Sequence, residues 1–295
     1  MQGIGDDCAV LRLPRGHEAL VTTDFSLEGV HFRREWHPPE SAGHRCLTRG
    51  LSDIAAMGGV PLAVFLSLAL PENLPQRWVN GFLRGFRALA RKFNVQLAGG
   101  DTAQSPSGVL ADIMVVGSVP AGKAVLRSGA RAGDDIYVTG ALGGSAAALH
   151  RLRTNKRGIR PRDWPAHFFP TPRVAVGRFL RENHLASAMI DISDGLSTDL
   201  AHICEESRAG AWLAQQAIPA AKAATLDEAL HGGDDYELLF TAPAAKHDQI
   251  PDRIASVPIR WIGTITKPRG LWLVDSARQS RQPLAPRGWE HFRQR

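Results

Sequence analysis

The repeated placement of aspartate beside glycine, serine or threonine is the feature that most restricts what this chain can fold into. Most of these segments follow an apolar stretch that should be buried, so each should lie where a strand or helix ends. The pattern predicts a scaffold of several strands and helices that presents acidic loops. In chain order the segments are Gly5-Asp6-Asp7, Thr22-Thr23-Asp24, Leu51-Ser52-Asp53, Gly99-Gly100-Asp101-Thr102, Asp191-Ile192-Ser193-Asp194-Gly195 and Gly232-Gly233-Asp234-Asp235.

Residues 1–121 are predicted to form an N-terminal domain. Leu47, Leu51 and Ile54 recur at helical spacing and predict a helix over residues 40–57. The glycines at positions 58 and 59, followed by a proline, are typical of a helix end. The same reasoning predicts a second helix over residues 74–93 and strands over residues 17–23, 62–70, 95–98 and 109–119.

Residues 122–295 are predicted to form a second domain, with helices over residues 143–152, 174–183 and 196–206 and strands over residues 135–139, 188–192, 236–241 and 260–265. Residues 155–172, rich in Pro, Arg and Lys, are predicted to be an exposed connection. Gly133-Asp134-Asp135 is predicted to be an exposed turn. Because strands and helices mix without a strict βαβ rhythm, the sequence predicts a two-domain α+β fold rather than a Rossmann-type sheet.

Composition narrows the class of protein. The chain has 295 residues, of which 44% are hydrophobic, and a formal net charge of +6. Its basic residues are spread out and not interleaved with aromatic side chains, which argues against nucleic-acid binding. Its apolar runs are too short to cross a bilayer, and no charged-then-apolar leader opens it. The three cysteines form no CxxC pair, so we expect a reducing cytoplasm and neither zinc nor disulfide bonds.

The acidic segments point to a hard cation. Carboxylates that converge repel one another and raise one another's pKa unless a cation neutralises them. Oxygen ligands without His or Cys favour Mg²⁺, Mn²⁺ or Ca²⁺, and no segment has the close ligand spacing of an EF-hand. Ligands dispersed along the chain beside glycines suit Mg²⁺ that is shared with a polyphosphate. The alternative for any single segment is an ordinary turn, since Asp and Gly are common turn residues.

Several enzyme classes are excluded by missing motifs. The chain has no GxxxxGK[ST] loop and no HRD and DFG pair, so it is neither a P-loop enzyme nor a protein kinase. It has no GxSxG elbow and no cysteine with an evident His partner, so it offers no candidate for covalent catalysis. The interpretation that remains is a site where Mg²⁺ is shared with a polyphosphate.

The six segments and their neighbours also carry a family resemblance. The chain resembles thiamine-monophosphate kinases along nearly its whole length, within a superfamily that includes aminoimidazole ribonucleotide synthetase and selenophosphate synthetase. The kinase branch is indicated by Gly29-Val30-His31-Phe32 and by the segment from Gly232 to Leu238. The other matching segments are Gly3-Ile4-Gly5-Asp6-Asp7, Thr22-Thr23-Asp24, Leu51-Ser52-Asp53-Ile54-Ala55-Ala56-Met57-Gly58, Gly99-Gly100-Asp101-Thr102 and Asp191-Ile192-Ser193-Asp194-Gly195-Leu196.

The resemblance implies two α/β domains. In a homodimer the mixed sheet of the N-terminal domain would form a barrel with that of a second copy, and the C-terminal domain would be an α/β sandwich. The resemblance also implies that ATP and thiamine monophosphate give ADP and thiamine diphosphate, with several Mg²⁺ ions; whether K⁺ is needed stays open. The implied Mg²⁺ ligands are Asp7, Thr22, Thr23, Asp24, Asp53, Asp101, Asp191 and Asp194.

The same resemblance assigns the remaining site residues. It implies that ATP is bound by Gly100, Asp101, Arg127, Ser193 and Phe93, and that thiamine monophosphate is bound by His31, Asp234 and Trp289. The implied catalytic residues are Asp53, Asp191 and Arg127. His31 and Trp289 have an alternative as packed side chains without a ligand.

The chain departs from the family pattern at two places. Asp234 stands where the family usually has Glu, and its shorter side chain predicts contact with the substrate through water. The chain also begins close to Gly3, where family members usually carry a helical segment that bears on dimer packing. Two alternative functions are a related ATP-dependent synthetase and a non-catalytic Mg-nucleotide-binding protein.

Overall fold

The computed structural model describes residues 3–4, 8–154, 159–290 and 292. The chain divides into two compact units. The first consists of Met1–Ile54, Gly59–Ala124 and Arg160–Pro172, and the second of Ala55–Gly58, Val125–Ile159 and Arg173–Arg295. No helix of the described residues is long and apolar enough to cross a membrane.

The helices and strands are, in chain order, β1 (His17–Leu27), α1 (Pro39–Ala56), β2 (Val60–Pro71), α2 (Gln76–Lys92), β3 (Gln96–Ser105), β4 (Leu110–Pro120), β5 (Asp135–Thr139), α3 (Gly144–Thr154), α4 (Pro165–Phe168), α5 (Val174–Glu182), β6 (Ala188–Ile192), α6 (Leu196–Glu206), β7 (Gly210–Ala214), α7 (Leu226–His231), β8 (Glu237–Ala242), β9 (Arg253–Ile254), β10 (Val257–Thr266), β11 (Gly270–Asp275) and β12 (Ser280–Pro283).

The first unit is built on a mixed sheet of four strands in the order β1-β4-β2-β3. Strand β4 is antiparallel to β1 and β2, while β2 and β3 are parallel. Side chains alternate between the two faces of a strand, and the buried set of β4 (Ala111, Ile113, Val115) packs with apolar residues of α1 and α2. The described strands of this unit form an open sheet and do not close into a barrel within one chain.

Helices α1 and α2 approach each other at two glycines. A Cβ on Gly43 would lie 2.0 Å from the carbonyl oxygen of Phe82, and a Cβ on Gly85 would lie 1.9 Å from that of Glu40. Any larger residue would force these backbones apart. The close contact sets the position of α1, which carries Asp53 near its C-terminal end.

The second unit contains an eight-stranded sheet in the order β12-β11-β7-β10-β5-β8-β6, with β9 paired to β10. The pair of β11 and β7 is parallel, and the other pairs are antiparallel. Strands β6 and β8 are buried throughout, and Leu196, Leu200 and Ile203 of α6 join their core. The predicted two-domain α+β class is therefore confirmed, with a mixed sheet in each unit.

The predicted strand over residues 95–98 is wrong at its C-terminal end, because β3 continues to Ser105. The glycines at 99 and 100 do not end the strand. A Cβ on Gly100 would lie 1.8 Å from the carbonyl oxygen of Leu66, so glycine lets β3 pass close to β2 where the register shifts. Strand β1 likewise continues to Leu27, so Thr22-Thr23-Asp24 lies within a strand rather than at its end.

The prediction of an exposed connection over residues 155–172 is wrong for its second half; residues 155–158 lie outside the described residues. His167 and Phe168 are buried, and α1 holds this segment through its own side chains. Arg45 donates to the carbonyl oxygen of His167 at 2.5 Å, and Ser41 donates to that of Phe168 at 2.7 Å. The aromatic residues of the segment favour burial more than its Pro and Arg content favours exposure.

The predicted exposed turn at Gly133-Asp134-Asp135 is a turn, but Asp134 is buried. Its carboxylate accepts hydrogen bonds from the Arg131 N–H at 2.9 Å and the Ser187 hydroxyl at 2.6 Å. Burial is possible because these donors replace water. The elements that sequence patterns did not predict are β7, α4, α7, β9, β11 and β12.

Candidate active site

A pair of carboxylates from two elements forms the acidic centre of the first unit. Alternation along β1 turns Thr22 and Asp24 towards α1, which supplies Asp53. The Thr22 hydroxyl donates a hydrogen bond to Asp53, and Asp24 is hydrogen-bonded to Asp53 as well. Burial raises the pKa of Asp24 well above its usual value, and the negative charge of Asp53 raises it further, while Arg49 opposes the shift.

Asp112 acts on Asp24 from the other face of the sheet, since it alternates with the buried residues of β4. It lies on β4, and its charge also raises the pKa of Asp24. Its own pKa is raised by burial. Sequence reasoning missed it because it falls inside the predicted strand over residues 109–119 rather than beside a glycine. The available signal was a charged residue within an otherwise apolar run.

Thr23 is not brought to this pair. It follows Thr22 on β1, so its side chain lies on the opposite, exposed face of the strand. The side chains of Thr22 and Thr23 therefore lie on different faces of β1, and the predicted role of Thr23 as a Mg²⁺ ligand stays a prediction. Asp7 lies outside the described residues.

Gly100 and Asp101 lie on β3, which β4 and β2 separate from β1. Three strand spacings of about 4.8 Å place β3 about 14 Å from β1 across the sheet. Both residues instead line a cavity of 850 Å³ in the first unit, together with Phe65, Leu97 and other apolar side chains.

Phe93 and His31 occupy other places in the first unit. Phe93 ends α2 and packs partly against the apolar core, with the Lys92 ammonium 5.7 Å from its ring centroid. His31 follows β1, and its Nδ1 accepts the Leu27 N–H at 3.0 Å. In the neutral ring this places the proton on Nε2, which makes that nitrogen a hydrogen-bond donor.

Three segments of the second unit meet through backbone hydrogen bonds. Asp191 is buried near the C-terminal end of β6, and residues 193–195 lead into α6. The Asp234 N–H donates to the carbonyl oxygen of Ser193 at 2.8 Å. The Trp289 N–H donates to that of Asp194 at 3.0 Å. The structure thus brings five of the predicted residues, from three distant stretches of sequence, into one cluster.

Asp199 is a member of this cluster that sequence reasoning missed. It is buried on the first turn of α6, where its carboxylate accepts the N–H groups of Asp194 at 3.2 Å and Gly195 at 3.0 Å. Burial raises the pKa of Asp199 well above its usual value, and the charges of Asp191 and Asp194 raise it further. Ligand atoms of Asp194, Asp199 and His202 lie within 4.8 Å of one another, so these side chains could also hold a metal ion.

The loop before β8 has an unusual backbone. Asp234 has φ of 64° and Tyr236 has φ of 52°, a left-handed conformation that non-glycine residues rarely adopt. The Tyr236 hydroxyl donates to Asp234 Oδ1 at 2.6 Å and so orients that carboxylate. Such strain persists where surrounding contacts hold it and is common at functional sites.

Asp235 and Glu237, in the same segment, are structural partners of other elements. The Asp235 carboxylate accepts the N–H groups of Gly143 at 2.6 Å and Ser145 at 3.4 Å, at the start of α3. Glu237 pairs with Arg173 through two guanidinium nitrogens. Of the three acidic residues in this segment, Asp234 is therefore the candidate for ligand contact, and Asp235 and Glu237 are buried residues that stabilise the fold.

Burial of Asp235 predicts a pH dependence of stability. Burial raises its pKa from 3.8 to about 7, so over this range the folded chain holds a proton that the unfolded chain releases. The free energy of unfolding should therefore fall as the pH rises through this window. Asp235→Asn, which keeps an acceptor for Gly143, should flatten the slope in urea unfolding measured at several pH values. Asp252→Asn, an exposed aspartate of the same unit, should leave the slope unchanged; an equal effect of both variants would contradict the prediction.

Arg127 is not brought to the cluster of the second unit. Its side chain is exposed, and its carbonyl oxygen accepts the Ser207 hydroxyl at 3.2 Å, just beyond the C-terminal end of α6. The cluster surrounds the N-terminal end of that helix. The predicted role of Arg127 stays a prediction.

Comparison with known proteins identifies the family. Residues 5–119 match the model for the N-terminal domain of AIR synthase related proteins, and residues 131–275 match the model for their C-terminal domain. Thiamine-monophosphate kinase of Salmonella typhimurium is 39% identical over 278 residues, which cover 90% of this chain and 84% of the relative. The chain belongs to the thiamine-monophosphate kinase family. The resemblance inferred from the ordered acidic segments is confirmed.

Solved structures of thiamine-monophosphate kinases share the fold. The enzyme from Stenotrophomonas maltophilia K279a superposes with a TM-score of 0.85 at 36% identity, covering 92% of this chain and 90% of that chain. AaThiL complexed with AMPPCP and TMP superposes with a TM-score of 0.84 at 29% identity, covering 95% of this chain and 89% of that chain.

Proposed function

We propose that this chain is a kinase that transfers the γ-phosphate of ATP to thiamine monophosphate and releases ADP and thiamine diphosphate. The observation that carries the proposal is the part-buried carboxylate pair of Asp24 and Asp53, which Thr22 joins by a hydrogen bond to Asp53. The negative charge of Asp53 contributes to the raised pKa of Asp24, and a divalent cation would neutralise this charge. The family supports the two substrates: AaThiL was complexed with AMPPCP, an analogue of ATP, and with TMP.

Most donor atoms near the two acidic centres are carboxylate and hydroxyl oxygens, which fit Mg²⁺, and the second centre also has the ring nitrogens of His202. When bound, Mg²⁺ would neutralise charge on the phosphate oxygens. Thr23 is left out of the proposed set because its side chain lies on the opposite face of β1, and K⁺ is not part of the proposal. The proposed Mg²⁺ ligands are Thr22, Asp24 and Asp53 of the first unit, Asp191 and Asp194 of the second, and Asp101 and Asp7 from the family resemblance alone.

In the proposed mechanism the protein positions the two substrates and neutralises the negative charge of their phosphates. A phosphate oxygen of thiamine monophosphate forms a bond to the γ-phosphorus of ATP, and the bond from that phosphorus to the bridging oxygen breaks. The attacking oxygen is already anionic, so no side chain has to remove a proton. Asp53 and Asp191 would hold the Mg²⁺ ions that neutralise the phosphates. The guanidinium of Arg127 has forked donors that suit phosphate oxygens. Gly100, Asp101 and Ser193 would contact the nucleotide, and Phe93 would stack on the adenine.

The proposed contacts of thiamine monophosphate are His31, Asp234 and Trp289. Nε2 of a neutral His31 would donate to the substrate phosphate. The Trp289 indole, 40% exposed, would lie against the cationic thiazolium ring, where a cation–π interaction is favourable. Asp234 is one methylene shorter than the usual Glu and already accepts the Tyr236 hydroxyl, so water would bridge it to the substrate.

We further propose a homodimer that works in the cytoplasm. Residues 1–121 would form the nucleotide-binding and dimerisation domain, whose sheet completes a barrel with its partner, and residues 122–295 the C-terminal α/β domain. The support is an exposed apolar face on β1, where Val21 is 60% and Phe25 is 56% exposed. The free cysteines at positions 8, 46 and 204 support a reducing compartment.

Phe25→Lys is expected to convert the dimer into a monomer, because the charge would have to be buried in the proposed interface. Phe25 faces Asp112 in the register of β1 and β4, so the isolated unit should tolerate a lysine there. Molar mass would be measured by light scattering after gel filtration. Leu126→Lys, at an exposed apolar residue of the second unit, is the matched control. A monomeric wild type, or a dimer that survives Phe25→Lys, would refute the proposed interface.

The activity is tested by incubating the protein with Mg·ATP and thiamine monophosphate and separating the products by chromatography. We expect thiamine diphosphate and ADP in equal amounts. No thiamine diphosphate, with ADP release unaffected by thiamine monophosphate, would refute the kinase. ADP release driven by an aminoimidazole precursor would instead support a related synthetase, and Mg·ATP binding without turnover a non-catalytic nucleotide-binding protein.

A further inference from the structure

The segment Arg287, Gly288 and Trp289, here called the C-terminal strap, is held on the first turn of α6. Arg287 donates through its guanidinium to Asp227 at 2.7 Å. The Gly288 N–H donates to the Thr198 hydroxyl oxygen at 2.9 Å. Because these contacts use both side-chain and backbone groups, the strap is an ordered part of the second unit.

The strap lies unusually close to the helix at Gly288. A Cβ at this position would lie 2.3 Å from the carbonyl oxygen of Asp194 and 2.5 Å from the Thr198 hydroxyl oxygen. A residue larger than glycine would therefore have to lift the strap. At this close approach, the Thr198 hydroxyl is the side-chain group of α6 that hydrogen-bonds to the backbone of the strap.

The strap and the acidic loop are also linked to each other. The Trp289 N–H donates to the carbonyl oxygen of Asp194 at 3.0 Å. The N–H of the same Asp194 donates to the carboxylate of Asp199 on α6 at 3.2 Å. The first turn of α6 thus holds the acidic loop through Asp199 and the strap through Thr198.

We propose that Thr198 is a positioning residue for substrate specificity, whose hydroxyl fixes the strap so that the Trp289 indole is presented beside the Asp194 loop. The proposal rests on the proposed function, in which Trp289 contacts thiamine monophosphate. Thr198 touches neither the substrate nor the reacting atoms; it acts through Gly288 and Trp289. Loss of its hydroxyl leaves the Gly288 N–H without its acceptor and frees the indole to move.

The test is Thr198→Val, which keeps the shape of the side chain and removes the hydroxyl. We expect KM for thiamine monophosphate to rise about fivefold, the effect of one hydrogen bond, with KM for ATP unchanged. Thr198→Ser should restore the wild-type value. Gly288→Ala, which lifts the strap without changing any residue of the helix, should raise the same KM. Thr154→Val makes the same chemical change at an exposed site on α3 and should have no effect.

A double-mutant cycle shows whether Thr198 acts through Trp289. In a Trp289→Ala background, Thr198→Val should raise KM for thiamine monophosphate no further. Equal changes in the KM of both substrates, full additivity with Trp289→Ala, or no effect in either the Thr198→Val or the Gly288→Ala protein would overturn the proposal.

A readout without turnover separates this proposal from the proposed function. Hydrogen exchange of the C-terminal peptide, followed by mass spectrometry, should be faster in Thr198→Val than in wild type and normal in Thr198→Ser. If the wild type makes no thiamine diphosphate, the proposed function fails and exchange still reports whether Thr198 holds the strap. Unchanged exchange in Thr198→Val would overturn the anchoring whatever the activity.

Discussion

Asp53→Asn is expected to lower kcat by a factor of about 10²–10³, the scale seen when one preorganised charge is removed from an active site. The carboxylate contacts Thr22 and Asp24, and its charge contributes to the raised pKa of Asp24. Asparagine keeps the shape and an acceptor for Thr22, so the fold should survive. The measurement is the steady-state rate of thiamine diphosphate formation at saturating Mg·ATP.

A second readout tests the cation directly. Mg²⁺ that binds the folded state raises the melting temperature, so the increase should be clear in wild type and smaller in Asp53→Asn. Without Mg²⁺ the variant should melt no lower than wild type, because repulsion between Asp24 and Asp53 is relieved. Asp163→Asn, which removes an exposed carboxylate paired with Arg160 in the same unit, is the control. Turnover near the wild-type rate in Asp53→Asn would contradict its proposed role.

Glu237→Gln is expected to destabilise the second unit by about 3–5 kcal/mol, the usual result of breaking a buried ion pair from one side. The Glu237 side chain is 6% exposed, and that of its partner Arg173 is 19% exposed. The Arg173 Nε donates at 2.6 Å and the Thr139 hydroxyl at 2.5 Å to the same carboxylate oxygen. The variant leaves a largely buried guanidinium without its counter-charge. The free energy of unfolding in urea at neutral pH is the measurement.

The matched control for this variant is Glu182→Gln. Glu182 pairs with Arg178 at 2.7 Å on the surface of α5, where the two side chains are 44% and 54% exposed. An exposed pair contributes about 0–1 kcal/mol, so its loss should be small. Comparable losses in the two variants would mean that burial does not set the strength of the Glu237 pair.

Regular elements with a clear period were predictable from the sequence. The predicted strands over residues 135–139 and 188–192 coincide with β5 and β6, and the predicted helix over residues 40–57 differs from α1 by one residue at each end. Helix α1 has apolar residues at helical spacing, whereas β5 and β6 are short, largely apolar runs bounded by turn residues, which favours buried strands. Strands β11 and β12 were not predicted, because pairing with distant strands rather than local pattern specifies short, half-exposed strands.

Errors at the acidic segments had a different cause. Gly99-Gly100-Asp101 was interpreted as a strand end because glycine and aspartate favour turns, yet β2 holds this segment in the sheet. Thr22-Thr23-Asp24 was likewise interpreted as a strand end, whereas β1 continues to Leu27 in its pairing with β4. Both errors arise because local propensity does not specify which strands will pair.

The family could be inferred from the sequence alone, which also predicted most residues of the candidate site. The six acidic segments occur in the order that is typical of the family, and order along the chain is visible in the sequence. Which candidate residues lie together depends on the tertiary structure. It groups Asp24 with Asp53, and Asp191 with Ser193, Asp194, Asp234 and Trp289. It also added Asp112, Asp199 and Thr198. Their roles depend on how deeply they are buried and on contacts with residues that are distant in sequence. Local sequence patterns specify neither.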